Sequence, residues 1–378
     1  MRILIVGMAD SVHLAKWLRQ FQDSKHTFEI VSSSPHRRIH PILQQLVSQG
    51  DQYKIHWFSR LASLPLWLAD RFFSDWLRGA LLAWRAAQFQ PDIVHVLEFQ
   101  NGGYSFLRAR SLTKSIRAPL LLTPYGSDIY WFQKYPKHLE KIRKLLGYAA
   151  GISSECKRDE ILASKFGFTG KFAPRIPASG GMKLDSNLQH NGQRSRIAVK
   201  GYQNQWGQAL KALECIEEIS QELRDYEITL FSCNKVTIKA ARKLAKRTGL
   251  QVTAHGKGKL KNEDVHKLLS ESVALVSLST SDGVPASMLE AMANGAIPIQ
   301  SDTSCCAEYL TDGIGGFLVR WDDKEQIKEK LRFILADSSF RESAATANFS
   351  RLKEIADGDK ALAAAFEAYD MLAAPRVN

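Results

Sequence analysis

The sequence lacks the long apolar runs of integral membrane proteins, since no stretch reaches the ~20 uncharged apolar residues that a spanning helix needs. Its opening residues, MRILIVGMAD, are too short an apolar run for a signal peptide, and they lead into a polar segment without a cleavage site. These absences predict a cytoplasmic protein that is either soluble or peripheral to the inner face of the cytoplasmic membrane.

Cysteine is scarce, and its five positions are too irregular for a disulfide framework or a zinc finger. The histidines of the first half are scattered and do not converge with acidic residues into a ligand set for a metal. We therefore expect no bound metal and no cofactor. The cysteines are Cys156, Cys215, Cys233, Cys305 and Cys306.

Low-complexity composition is also absent. The chain is 45% hydrophobic and 24% charged, with 24 Gly and 12 Pro, which is ordinary for a globular protein and excludes collagen-like and disordered classes. Its 378 residues exceed what a single hydrophobic core usually supports. The sequence therefore predicts at least two domains.

Positive charge exceeds negative charge, but only in the first half of the chain. The formal net charge is +12, and residues 1–185 hold 26 Lys and Arg against 14 Asp and Glu, whereas residues 186–378 hold 25 of each. A basic half predicts an anionic partner for that half, which could be a membrane surface, a phosphorylated substrate or a nucleic acid.

Short apolar runs alternate with helical patterns along both halves, which indicates two Rossmann-like α/β domains with parallel sheets. The predicted organisation is a first domain over 1–176, a linker over 177–195 that is rich in Pro, Gly, Ser and Asn, a second domain over 196–355, and a C-terminal helix and tail over 356–378. In such folds ligands bind at the carboxyl ends of strands, so we expect a cleft between the two domains to hold the substrates. The predicted strands are 2–7, 28–32, 91–99, 118–126 and 149–155 in the first half, and 196–201, 227–233, 251–256, 273–279, 296–301 and 315–319 in the second.

The most informative segment is SDGVPASMLEAMANGAIPIQS, residues 281–301. Gly283 allows the backbone to approach a ligand closely, and Pro285 stiffens the turn before a helix. Free amides at that helix start would form an anion site suited to a diphosphate. Of the two acids, Asp282 and Glu290, one can accept hydrogen bonds from sugar hydroxyls and the other from a ribose.

This segment resembles the donor motif of the family-4 retaining glycosyltransferases, which have the GT-B fold. The resembling residues are Asp282 to Pro285, Glu290 to Pro298, and Glu308 to Val319. Elsewhere PDIVHVLEF (91–99), TPYGSDI (123–129), IPASGGMKLD (176–185) and GMADSVHLAKWL (7–18) are similar to further stretches of the family, so the resemblance covers most of the chain.

The resemblance implies roles for individual residues. Asp282 would contact the sugar, Glu290 the ribose, and Lys200 the diphosphate, and these three are the expected catalytic residues. The expected donor-binding residues are Gly201, Gly283, Val284, Pro285, Ala286, Ser287 and Lys235. The expected acceptor-side residues are His13, Tyr125, Gly126 and Asp128.

Four positions differ from the family pattern, and the first is Asp282, which stands where the family has the longer Glu. Tyr202 and Trp206 stand where the family usually has basic residues that grip the diphosphate, so we expect Lys200, with Lys235, to substitute for them. Tyr125 stands where the family has a histidine. A phenol can donate a hydrogen bond but cannot take a proton at neutral pH.

Residues 54–90 interleave aromatic residues with arginines. Arg71, Arg78 and Arg85 are spaced by seven and would share one helical face. Such a segment fits an anionic membrane surface, and it equally fits a core helix whose arginines extend into water. A nucleic acid is not expected, because no nucleic-acid motif or aromatic strand platform is present.

Together these features predict a metal-independent hexosyltransferase that moves a sugar from a nucleotide-diphosphate donor to a hydroxyl acceptor with retention. The expected acceptor is a glycan or lipid-linked precursor in polysaccharide or lipopolysaccharide-type biosynthesis. We also expect the C-terminal helix to pack back on the first domain. Two alternatives remain open: a nucleotide-sugar epimerase on the same fold, and a non-catalytic glycan- or membrane-binding protein.

Overall fold

The computed structural model describes residues 1–34, 38–56, 70, 72, 75–177, 180–182, 184 and 194–373. These residues form two compact units. Unit 1 comprises Met1–Gly181 and Asp359–Asn378, and unit 2 comprises Met182–Gly358. Most of the linker predicted at 177–195 lies outside the described residues.

Unit 1 is built on a seven-stranded sheet in the order β3-β2-β1-β4-β5-β6-β7, in which every pairing is parallel. Its strands are β1 Arg2–Gly7, β2 Thr27–Ser32, β3 Tyr53–His56, β4 Ile93–Leu97, β5 Leu120–Thr123, β6 Ala149–Ile152 and β7 Lys171–Phe172. Its helices are α1 Val12–Arg19, α2 Pro41–Ser48, α3 Trp76–Phe89, α4 Tyr104–Leu112, α5 Pro136–Tyr148 and α6 Lys157–Lys165.

Unit 2 is built on a six-stranded sheet in the order β10-β9-β8-β11-β12-β13, again with only parallel pairings. Its strands are β8 Arg196–Lys200, β9 Glu227–Cys233, β10 Val252–Gly256, β11 Ser272–Ser277, β12 Ile297–Ser301 and β13 Phe317–Val319. Its helices are α7 Ala209–Glu218, α8 Lys235–Thr248, α9 Asn262–Ser270, α10 Ala286–Ala293, α11 Lys324–Ala336 and α12 Ser338–Ile355.

The central strands are continuous apolar runs because helices cover both faces of a parallel sheet. In β1 the residues from Ile3 to Val6 are all fully buried, and β11 is buried along its whole length. This burial confirms the prediction of two parallel-sheet α/β domains. Two short strands were not predicted, β3 and the two-residue edge strand β7, both residues of which are exposed.

The last helix, α13, spans Gly358–Asp370 and packs into the core of unit 1, as predicted for the C-terminal helix. Its small residues Ala361, Ala365 and Ala368 recur at helical spacing and are buried, which brings the helix close to the unit. The fully buried ring of Tyr369 then lies 5.1 Å from the ring of Phe21.

The Tyr369 hydroxyl links α13 to α1 and to β4, two elements from the beginning of the chain. It accepts a hydrogen bond from Trp17 Nε1 at 2.9 Å and lies 2.9 Å from His95 Nδ1. His95 Nε2 in turn lies 2.8 Å from Thr123 Oγ1, so both ring nitrogens of His95 have a hydrogen-bond partner. Full burial lowers the pKa of His95 to about 3, so the imidazole is neutral.

The arginines expected to form a basic face in 54–90 are only partly within the described residues, since 57–69 and Arg71 lie outside them. Arg78 pairs with Asp70 and Asp75. Arg85 donates to Glu29 Oε1 at 2.7 Å. Both guanidinium groups thus form ion pairs with acidic residues of unit 1, and they do not form the predicted outward basic face.

Aromatic residues of this segment are nevertheless exposed: Trp76 by 47% and Trp84 by 56%. Within the part of the chain that the structure describes, no helix combines the length and apolarity needed to cross a bilayer.

Candidate active site

The expected donor residues lie at the carboxyl edge of the sheet of unit 2. Strand β8 ends at Lys200, and the loop after β11 carries Asp282 and leads into α10. Because β8 and β11 are neighbours in the sheet, their carboxyl ends bring these two loops together.

Lys200 and Asp282 form the central pair of this edge. Lys200 Nζ lies 3.6 Å from Asp282 Oδ2, and the ammonium lies 5.7 Å from the centre of the Tyr202 ring. The other carboxylate oxygen of Asp282 accepts a hydrogen bond from Gly283 N at 2.9 Å. A cation and an anion are thereby held side by side at the loop, where one can attract phosphate and the other can accept from hydroxyl groups.

The N-terminus of α10 leaves several hydrogen-bond donors unused among the described residues. The helix begins after Pro285 with no side-chain cap, and its first backbone hydrogen bond runs from Met288 N to Pro285 O at 2.9 Å. Among the described residues, no acceptor lies within hydrogen-bonding distance of the amides of Ala286 and Ser287. The Ser287 hydroxyl is also buried without a hydrogen-bond partner there. Three unused donors at the positive end of a helix favour a bound anion.

The loop after β8, in which the sequence differs from the family, is rigidly held. Asn204 Oδ1 accepts from Trp206 N at 2.9 Å and from Gly207 N at 2.7 Å, and Thr280 N donates to Trp206 O at 2.8 Å. Gly201 is required by close packing, because a Cβ there would lie 2.3 Å from Cys233 Sγ. Lys200, the last residue of β8, is therefore followed directly by a loop that several hydrogen bonds hold in place.

Glu290 and Lys235 are placed differently from the Lys200–Asp282 pair. Glu290 is half-buried within α10, and its backbone carbonyl accepts from the Asn294 side chain at 2.7 Å. Lys235 is the exposed first residue of α8. In the described part of the chain Lys235 forms no ion pair with Asp282, so its donor-binding role stays a prediction.

The expected acceptor-side residues lie at the carboxyl edge of the sheet of unit 1. Ser11 caps α1 by accepting from His13 N at 3.2 Å, and the His13 ring lies 5.3 Å from the ring of Tyr125. Burial raises the pKa of Tyr125 well above its usual value. The phenol is therefore protonated at neutral pH and can act as a hydrogen-bond donor but not as a base.

Asp128 holds the turn that carries Tyr125 and Gly126. Its Oδ2 accepts from Tyr125 N and from Phe99 N, each at 2.8 Å. Burial, together with the neighbouring Glu98 carboxyl, raises the pKa of Asp128 well above its usual range. The structure thus shows Asp128 organising the loop from inside, while the Gly126 carbonyl accepts from Arg158 at 2.6 Å.

Glu98 is a buried acid at this edge that the sequence interpretation did not single out. It has a left-handed φ of 75° and accepts from Ser33 Oγ at 2.9 Å and from Asn101 N at 2.8 Å. Its carboxylate caps the helical turn Phe99–Gly103 that follows β4. The available signal was an acid directly after a buried strand and before Asn-Gly-Gly.

Two family models match the chain: glycosyl transferase 4-like over residues 2–152, and glycosyl transferases group 1 over residues 209–351. A search of curated proteins gave no match. Among solved structures, Anabaena HepE in complex with UDP-glucose is similar with a TM-score of 0.72 at 12% identity, covering 98% of this chain and 100% of HepE.

Two further structures are similar over the same extent. Sucrose-phosphate synthase from Thermosynechococcus elongatus has a TM-score of 0.71 at 12% identity, covering 98% of this chain and 99% of its own. The lipopolysaccharide outer core galactosyltransferase WaaB, in its apo form, has 0.67 at 13% identity with coverage of 98% and 99%. At such identities the structures show the fold, and the two family models show the class. The chain belongs to the GT4-type glycosyltransferases of the GT-B fold.

Proposed function

We propose that this glycosyltransferase moves a hexose from a nucleotide-diphosphate donor to a hydroxyl of a glycan or lipid-linked acceptor, with retention of configuration, in polysaccharide or lipopolysaccharide-type biosynthesis. The observation that carries the proposal is the uncapped start of α10, with its unused donors, directly after the loop in which Asp282 pairs with Lys200. HepE, which has the same fold, is described in complex with UDP-glucose.

The donor diphosphate would be held by positive charge that the chain itself supplies. The amides of Ala286 and Ser287 and the Ser287 hydroxyl would donate to its oxygens, and Lys200 would neutralise charge that develops as the sugar–phosphate bond breaks. These groups can perform the task that a divalent cation performs in other transferases, and on that ground we propose a metal-independent reaction.

The sugar and the nucleoside would be positioned by the two acids. Asp282 is fixed by the Gly283 amide through one oxygen, and its second oxygen lies beside Lys200, where it can accept from a sugar hydroxyl. Glu290 would accept from the ribose hydroxyls. A carboxylate that accepts from two adjacent hydroxyls binds a ribose with charge-assisted hydrogen bonds.

The acceptor would be bound in unit 1, where His13 and Tyr125 lie ring to ring and Tyr125 serves as a donor. We propose a cytoplasmic enzyme that is peripheral on the inner face of the membrane. The exposed Trp76 and Trp84 are the features of 54–90 that support this location, because amphipathic rings favour the interface between lipid and water.

The test begins with thermal shifts in UDP, GDP, ADP and their sugars, since a ligand that binds the folded state raises its stability. The best donor is then used to measure transfer by Glu290→Gln and by the exposed matched control Glu329→Gln. Loss of a charged hydrogen bond predicts a drop of about 10–100-fold in donor affinity for Glu290→Gln only. Wild-type transfer by Glu290→Gln would refute the assignment.

Product analysis separates the alternatives. An isomerised nucleotide sugar formed without an acceptor would indicate an epimerase. Acceptor or lipid binding with neither transfer nor hydrolysis of any nucleotide sugar would indicate a non-catalytic binding protein.

A further inference from the structure

Unit 2 carries a concentrated positive charge that its overall balance conceals. Between Glu227 and Glu263 the chain contains nine Lys and Arg residues and no acidic residue. All nine are exposed. They are Lys235, Lys239, Arg242, Lys243, Lys246, Arg247, Lys257, Lys259 and Lys261, and together they are called the basic face below.

The cations of the basic face lie on the outer side of α8 and in the segment that follows β10. The buried side of α8 consists of Thr237, Ala241 and Leu244, so its cations lie on the opposite, outer side. The turn after β10 rests against the start of this helix, because Lys257 N donates to Cys233 O at 3.0 Å. A Cβ placed at Gly256 would lie 3.8 Å from Ile238 of α8 and 3.5 Å from Lys259.

Eight of the nine cations of the basic face have no acidic partner among the described residues. Arg247 pairs with Glu217 at 2.7 Å, and no other cation of the face has an acidic side chain of a described residue within 4.0 Å. Lys239 and Lys243 are four residues apart on α8, an arrangement of like charges that destabilises a helix. Because the repulsion between these cations lowers the stability of α8, we infer that the cations serve to bind an anion outside the protein.

The shape and composition of the face select the kind of anion. Seven of its nine cations are lysines, which act as point charges and lack the fork that recognises one oriented phosphate. Its exposed apolar residue is Val236, and residues 235–261 contain no Phe, Tyr or Trp on which a nucleobase or sugar could stack. The 14 residues of α8 give a length of about 21 Å.

We propose that the basic face is an electrostatic docking surface for an anionic phospholipid bilayer, and that it meets the expected donor residues only at Lys235. A helix side of this length meets several headgroup phosphates at once and needs neither a pocket nor an inserted side chain. The cations of α5 are less suited, because Lys141 lies 4.4 Å from the Tyr104 ring and Lys144 pairs with Glu140 at 2.7 Å.

The test measures binding of the full chain to vesicles of equal parts phosphatidylcholine and phosphatidylglycerol. The variant Lys239→Gln/Arg242→Gln/Lys243→Gln removes three cations from the middle of α8. Each basic residue near an anionic surface contributes about fivefold in binding, so the loss should be on the order of a hundredfold. Because Gln has a similar helix propensity and the change removes like-charge neighbours, the variant should melt no lower than wild type.

The control Lys137→Gln/Lys141→Gln/Lys144→Gln removes the same charge from α5 and should bind within about fivefold of wild type. Equal losses for both variants would show that net charge alone is responsible and would overturn the proposal. So would wild-type binding by the α8 variant, or binding of RNA or a polyanionic glycan in place of the vesicles. No sugar donor is used, so failure here leaves the proposed transfer reaction untouched.

Discussion

The hydroxyl of Tyr369 is one oxygen atom on which two buried groups depend. Tyr369→Phe keeps the ring, and therefore the packing against Phe21, but removes the partner of Trp17 Nε1 and of His95 Nδ1. Neither group reaches water, since Trp17 is 1% exposed and His95 is fully buried. The substitution thus isolates the hydrogen bonds from the shape of the core.

The expected cost follows from these two orphaned groups. Leaving a buried donor or acceptor unsatisfied costs about 1–3 kcal/mol, so Tyr369→Phe should lower the free energy of unfolding of unit 1 by about 2–5 kcal/mol. For a unit of this size the melting temperature should fall by roughly 5–15 °C. Thermal unfolding followed by near-ultraviolet circular dichroism, with hydrogen exchange to assign the transition to unit 1, measures both.

The matched control is Tyr148→Phe, because that ring is 49% exposed and its hydroxyl can be replaced by water. It should change the free energy of unfolding by less than about 0.5 kcal/mol. If Tyr369→Phe were as mild as Tyr148→Phe, the hydrogen-bonded link between α13 and the sheet would not stabilise unit 1, and the reasoning would be wrong.

Three further predictions concern other buried groups. Arg85→Gln leaves His56, whose Nε2 lies 3.1 Å from Oε2, as the remaining partner of the Glu29 carboxylate. Urea unfolding should therefore show a free energy of unfolding lower by about 3 kcal/mol, while vesicle binding is unchanged. The pKa of His95 is about 3 in the folded protein, so between about pH 6.5 and pH 4 only the unfolded chain protonates this residue. The free energy of unfolding should therefore fall as the pH is lowered toward 4, by up to ~1.4 kcal/mol per pH unit. His95→Gln should lack this part of the pH dependence. Gly201→Ala should cost about 1–3 kcal/mol and weaken nucleotide binding, with partial relief from an added Cys233→Ala.

The central strands could be predicted because burial on both faces leaves an unbroken apolar run, as in β1 and β11. The edge strands β3 and β7 could not. They are short, and one or both faces meet solvent, so their sequences carry no continuous apolar signal. The link through Tyr369 was equally hidden, because it joins residues from the two ends of the sequence.

At the site, the order of residues from Asp282 to Pro298 was enough to find α10 and its open start. The pairing of Lys200 with Asp282 depends on the neighbouring positions of β8 and β11, which the sequence does not encode locally. Spacing likewise placed Arg78 and Arg85 on one face of a helix. It could not show whether that face points outward, because the acids that engage them, such as Glu29, come from other elements.

The return of α13 to unit 1 has a consequence for synthesis on the ribosome. The groove formed by Trp17 and Phe21 is completed by a helix that is translated only after the whole of unit 2, Met182–Gly358. At ~5–20 residues per second, the nascent chain exposes that apolar groove for roughly 10–35 s. During this interval unit 2 can already fold. Unit 1, whose synthesis begins first, cannot complete its core until α13 has been translated.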